Sequence, residues 1–392
     1  CWRWSSALRA DTHQTVADPI VGARYPRVMG TLTMVMVVFA ATATLGQEPQ
    51  QEPELDPQSF SETIFVVRYA LDVRVTDSWG HANDDLAAED FTVKIGGKTA
   101  HVERATWVGQ GLRARPSSSE DLGVPRSPSE ELIDSEELRG TEELEEQRSI
   151  VIFIQTDFAR VNERVLGQMK FGKLADKILK LLGPTDRVAV LSHDSHLKFR
   201  RDFTLDRKSI LNAVRESLFI DFPPPPAPAT DGPSLGALLD PREMKKAYDA
   251  ESALLVVANA MHDIEGPKMM LLAGWGIGEL QGRAGVQLKP EWYEAVRMLH
   301  QDHIPVITVD TGLRAQLMAG LKATSAATGG LYTDGQGSRE AALTRIEGAL
   351  AGHYELTLRV DEPLKAGTYP LDVRVTRKGL DVQAPSFVVH GR

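Results

Sequence analysis

The chain has 392 residues, of which 42% are hydrophobic and 25% charged, a balance that fits a soluble globular protein of two or three folded units. Its formal charge of −10 argues against a nucleic-acid binder, because affinity for phosphates needs clustered Lys and Arg and no basic stripe is present. The single cysteine is Cys1. Downstream of it there is neither a disulfide framework nor thiol chemistry.

Residue 1 is not Met, and translation is expected to begin at Met29. Arg24 and Arg27 precede an apolar run of about 15 residues that ends among Ala40, Ala41 and Ala43, the anatomy of a secretory signal peptide within residues 1–46. The run is shorter than the roughly 20 residues of a spanning helix, so an uncleaved anchor over 31–45 is the second reading. Either way the protein is expected to be exported, periplasmic or secreted, and to meet a membrane only through that segment.

The first folded segment, 60–108, is β in character. Thr63–Ser78 alternates apolar and other residues as a long half-buried strand does, and Phe91–Ile95 and Ala100–Trp107 flank a Gly96-Gly97-Lys98 turn. Residues 109–148 change character: Ser117–Ser119, Pro125 and Pro128 are followed by a stretch in which Glu120–Glu146 holds eleven acids against Arg126 and Arg139. Such a block reads as a disordered, solvated linker, with an acidic docking tail as the alternative.

From 149 to 351 short apolar runs alternate with longer amphipathic ones. Ile150–Gln155 is uninterrupted and apolar, as in a strand covered on both faces. Helical spacing of Val161, Val165, Met169, Leu174, Ile178 and Leu181 follows and stops at Gly183-Pro184. Strands are expected at Val188–Leu191 and Leu197–Phe203 around an exposed His193–His196 turn, then a helix over Asp206–Leu218. A Pro-rich loop, 222–233, leads to one long helix over Arg242–His262 and a strand at Lys268–Ala273. Next come a helix near Pro290–His300, a strand at Ile304–Asp310, a helix over Arg314–Thr328, a strand at Leu331–Thr333 and a helix over Ser338–Leu350. This order implies an α/β fold with a Rossmann-like, doubly wound, mainly parallel sheet. Residues 352–392 return to alternation and are too few for an independent domain, so they are expected to pair with 60–108 as a small β-sandwich interrupted by the α/β domain.

Several stretches together resemble the bacterial, acidobacterial-type von Willebrand factor A-related proteins: VRYALDVRVTDSWG, DLAAEDFTVKIGGK, LLGPTDRVAVLSHDSHLKFRRDFTLDRKSILNAV, IPVITVDTGL and GTYPLDVRVTRKGLDVQAP. The resemblance spans most of residues 60–390 and rests on the order of these motifs rather than on any one. It implies a metal-ion-dependent adhesion site at the C-terminal edge of the sheet, where Asp-x-Ser-x-Ser, a Thr and a second Asp hold Mg²⁺ with one position open to a partner's carboxylate. This chain departs from that pattern. Gln155 stands at the leading Asp, Ala159 at the second Ser and Gly274 at the later Asp, while Thr230, Asp231 and Ser234 give no clear match for the Thr. Only Asp157 remains as a carboxylate in the first loop, and a site this short of oxygen ligands holds Mg²⁺ poorly.

Other chemistry is weakly marked. Asp310-Thr311-Gly312 matches one half of an aspartic protease pair without its second copy, and Asp310 reads better as the cap of the next helix. His193 and His196 lack further ligands in sequence, and Gly274–Gly278 lacks the full dinucleotide pattern. Pro223–Pro226 with Pro228 reads as a stiff spacer, or else a polyproline ligand. The expectation is a non-enzymatic, exported adhesion-type module that binds another protein, not nucleic acid, through Asp157, Phe158, Asp231, Ser234, Trp275 and Asp310, with no cofactor. Alternatives are metal-dependent binding or hydrolysis through Asp157, Asp231 and Asp310, and a purely structural envelope protein.

Overall fold

The computed structural model describes residues 67–109, 147–156, 161–217, 223, 226–229, 232–281, 285–312, 317–335, 337–361 and 364–391. The expected leader in 1–46, its apolar run and most of the acidic segment lie outside the described residues, as do Asp157, Phe158 and Asp231.

In chain order the elements are β1 (Val67–Asp77), β2 (Phe91–Ile95), β3 (Lys98–Gly109), β4 (Ser149–Gln155), α1 (Val161–Leu181), β5 (Arg187–His193), β6 (Leu197–Thr204) and α2 (Arg207–Glu216). Then follow α3 (Leu235–Leu238), α4 (Pro241–Lys246), α5 (Ala250–His262), β7 (Lys268–Gly274), the two-residue strands β8 (Glu279–Leu280) and β9 (Val286–Gln287), and α6 (Pro290–Gln301). The chain closes with β10 (Val306–Asp310), α7 (Met318–Thr328), β11 (Tyr332–Asp334), α8 (Arg339–Ala351), β12 (Gly352–Val360), β13 (Gly367–Val375), β14 (Leu380–Gln383) and β15 (Phe387–His390).

The α/β part is a mixed six-stranded sheet in the order β11-β10-β7-β4-β5-β6. All neighbours are parallel except β5 and β6, which form an antiparallel hairpin. The alternation in β4 shows why its apolar run is unbroken. Ile150, Ile152 and Ile154 pack with Phe171, Ile178, Ile210 and Ile346 on one face. Val151 and Phe153 pack with Leu254, Met261, Val296 and Leu321 on the other. The chain winds outward from β4 in one direction through β5 and in the other through β7, so the crevice between the ends of β4 and β7 is where the winding reverses.

The two outer β segments pair with one another. β1 lies between β12 and β14, and β2 pairs with β13. They form one curled antiparallel sheet, β14-β1-β12-β3-β2-β13-β15, rather than the two-sheet sandwich expected from the sequence. The reason is partner switching within long strands. β1 pairs with β12 over Val67–Val73 and with β14 over Arg74–Asp77, while β13 pairs with β15 over Gly367–Pro370 and with β2 over Leu371–Val375. Leu71, Val73, Val93, Ile95, Tyr354 and Leu356 fill the interior of the curl. The opposite face of β1 is covered too: Arg74, only 6% exposed, donates to Ala349 O and Gly329 O at 3.3 and 3.1 Å and ties the curled sheet to the α/β part.

Two local expectations fail. The helix expected over 242–262 is broken, because Asp249 accepts the Ser252 N–H at 2.8 Å in a capping box and starts α5 afresh. The first half of the His193–His196 turn is buried rather than exposed, while Ser195 stays exposed: His193 Nε2 reaches Ala247 O at 3.1 Å, and Asp194 is ion-paired with the buried Lys198. Among the described residues no helix is long and apolar enough to cross a membrane.

Candidate functional site

Ligands of open α/β sheets gather at the strand ends where the winding reverses, which here are the ends of β4 and β7. Gln155 ends β4, and its side-chain Oε1 accepts the backbone N–H of Trp275 and Gly276 at 3.2 and 3.3 Å. The amide therefore bridges the crevice. Gly274 leaves space for it, since a Cβ at that position would stand 2.6 Å from Gln155 Oε1 and would oblige the amide to shift. Thr156 is held by His193 O, which its Oγ1 meets at 3.0 Å, and Thr311 N–H donates to Gly274 O at 2.7 Å.

Asp310 is level with Gly274 on the neighbouring strand and 5% exposed. Burial raises its carboxyl above the ordinary range, against the lowering effect of its two hydrogen bonds. Oδ1 accepts the Gly312 N–H at 2.8 Å and Oδ2 accepts the Tyr332 hydroxyl at 2.9 Å. Burial and that bond also raise the Tyr332 phenol. Asp310 does not cap a helix as expected, because α7 begins only at Met318; its side chain instead closes a local turn onto Gly312.

The structure thus brings Trp275 and Asp310 together at the edge, with Trp275 half-buried. It separates Ser234 from them. Ser234 caps α3 and donates to Asp202 Oδ2 at 2.5 Å, and Asp202 lies on β6 level with the start of β5, toward the opposite end of the sheet. Asp202 also accepts the N–H groups of Ala229 and Leu235 at 3.1 and 2.9 Å, so it organises the loop that carries Ser234. The residues described at the edge do not fit Mg²⁺. Gln155 spends its amide oxygen on two N–H groups and Gly274 offers no ligand, which leaves Asp310 as the one carboxylate among these three. Of the carboxylates of the hydrolase alternative, Asp310 is described here, and Asp157 and Asp231 lie outside the described residues.

A second polar constellation was not foreseen. At the junction of the curled sheet with α6, Asp72 on β1 meets His303 and His353. His303 Nδ1 donates to Asp72 Oδ2 at 3.0 Å, and His353 Nε2 lies 3.7 Å from Asp72 Oδ1. Burial pushes the His353 and His300 imidazoles down to about 4. The hydrogen bond to Asp72 raises His303, and despite burial the two histidines lower the Asp72 carboxyl. A cavity of about 210 Å³ opens here, lined by Tyr69, Asp72, Arg74, His300 and His303 among others. The sequence signal was slight: charges at Asp72 and Arg74 alternate with the apolar residues of β1, on the face that a lone sheet would leave to water.

No family model matches the chain, and no curated protein matches it. Among solved structures it is similar to the three N-terminal domains of the type V pili tip protein Mfa5 from Porphyromonas gingivalis, at 10% identity, 50% of this chain, 48% of that one and a TM-score of 0.33. It is similar to the human COPII-coat protein Sec24c at 9% identity, 62% and 44% coverage and a TM-score of 0.36. With BatB from Bacteroides thetaiotaomicron it shares 12% identity, 50% and 96% coverage and a TM-score of 0.33. The chain spans less than half of the first two. Likeness at this level carries no argument about function, which rests on the residues themselves.

Proposed function

We propose that this chain is an exported, non-enzymatic interaction module of von Willebrand factor A type, Rossmann-like and doubly wound, that binds another protein at the C-terminal edge of its six-stranded sheet without a cation there. The observation that carries this reading is the Gln155 amide lying across the crevice onto the N–H groups of Trp275 and Gly276. In the resembled family a metal joins these loops; here a neutral side chain does. Trp275 supplies a large, partly exposed aromatic beside that bridge, the residue type that dominates binding hot spots. The strand order and the motif order along the sequence support the family likeness.

The test is capture of a partner from an envelope fraction by the wild-type protein and by Trp275→Ala, with folding checked by circular dichroism. Capture that survives withdrawal of Mg²⁺ and is lost in Trp275→Ala is expected. Capture that needs Mg²⁺, or that Trp275→Ala leaves intact, overturns the reading.

A further inference from the structure

We propose that Asp72, His353 and Glu355 form a binding site for a divalent transition cation of the zinc type, at the junction between the curled sheet and α6. The site is distinct from the sheet edge and independent of the function proposed above.

Ligand atoms of these three residues all lie within 4.8 Å of one another. The separation of His353 Nε2 and Asp72 Oδ1, 3.7 Å, is too long for a hydrogen bond. It is close to the roughly 3.4 Å that separates two ligands bound tetrahedrally to one ion at about 2.0–2.2 Å. The β register gives a second, independent reason. Asp72 stands directly opposite Glu355 on the antiparallel β12. Both carboxylates therefore project from one face of the sheet, where a single cation can meet them.

Chemistry selects the ion. One imidazole and two carboxylates make a mixed nitrogen and oxygen set, which suits Zn²⁺ and its neighbours in the transition series and does not suit Mg²⁺ or Ca²⁺. The ring of His353 is half-buried, with Nε2 turned toward Asp72. His303 acts behind the ligands. Among the described residues it is the one non-glycine with a left-handed backbone, φ 54°, and that conformation accompanies a ring bonded to Asp72 Oδ2, fixing the carboxylate. Of the three ligands, Asp72 also lines the adjoining cavity. Arg74 shares this cavity, but its guanidinium is turned to Gly329 O and Ala349 O.

The experiment is calorimetric titration of the metal-stripped, tag-free full chain with Zn²⁺ and with Mg²⁺, accompanied by the visible spectrum of the Co²⁺ form. One Zn²⁺ per chain, no Mg²⁺, and a tetrahedral Co²⁺ spectrum are expected. His353→Gln should abolish that binding, and the exposed Glu355→Gln, which leaves the fold least disturbed, should weaken it. His303→Phe should raise the dissociation constant about 10- to 100-fold, as loss of a residue that orients a ligand does. Folded wild-type protein that binds no Zn²⁺, or Zn²⁺ binding unchanged in His353→Gln and Glu355→Gln, overturns the proposal. Partner capture through Trp275 is read separately, so either result leaves the other standing.

Discussion

Gln155 and Gly274 are in close approach: a β-carbon on the second would lie 2.6 Å from the amide oxygen of the first. The two residues are therefore expected to act as one unit across the crevice. Gly274→Ala is expected to cost about 1–3 kcal/mol, because the added methyl displaces Gln155 and frees two N–H groups. In a Gln155→Ala background the same substitution should cost at least about 1 kcal/mol less. A double-mutant cycle by urea unfolding checks this, and strict additivity would refute the coupling.

Arg74 joins the curled sheet to the α/β part through two buried carbonyls. Burial lowers its guanidinium to about 10, so it stays charged at neutral pH. Arg74→Met should destabilise by about 2–4 kcal/mol by leaving Gly329 O and Ala349 O without a donor. Arg74→Lys should recover little, since an ammonium does not span both carbonyls as the planar fork does. Chemical denaturation of the three proteins decides it.

Asp202 holds the loop around Ser234 through three donors. Asp202→Ala is expected to lower stability by roughly 2–3 kcal/mol and to open this loop selectively. Hydrogen exchange should then show faster exchange at Ala229 and Leu235, with the N–H groups of β4 unchanged relative to global stability. Uniform acceleration would count against a local role.

Acid should weaken the metal-free protein. His300 and His353 are held down to about 4 by burial, so the unfolded chain binds more protons than the folded one between about pH 6.5 and 4. Their contribution is complete above pH 6.5 and is lost as pH falls through that window. His303, raised by Asp72, acts in the opposite sense but alone against two. The expected net loss from pH 7 to 5 is at least about 1 kcal/mol, or roughly 2–4 °C in Tm. His300→Phe should flatten the dependence; a Tm that rises on acidification would contradict it.

Much of the fold was legible because periodicity is local. The unbroken run Ile150–Ile154 and the alternation in β1 and β12 report burial within a few residues of themselves, and the glycine and capping signals bound most helices. The break at Ala247–Asp249 was lost because Arg242–His262 is helix-forming throughout and only the Asp249–Ser252 box divides it. Ser234 was grouped with Trp275 as a neighbour of the edge, yet Asp202 holds it elsewhere, a pairing across 32 residues that no window reveals. The junction site is further out of reach. Asp72, His303 and His353 come from three distant parts of the chain, and only the register of β1 on β12 and the turn after α6 bring them together.

The curled sheet also fixes an order of assembly. β1 and β3 are made early, but the strand between them, β12, arrives only after the whole α/β part has been synthesised. Until then both strands present unpaired edges, the condition that invites pairing with other chains. The α/β part, with its mostly sequential neighbours, can collapse first and bring Gly352–Val360 to the waiting pair, so a chain truncated before β12 should aggregate although every strand of the six-stranded sheet is complete.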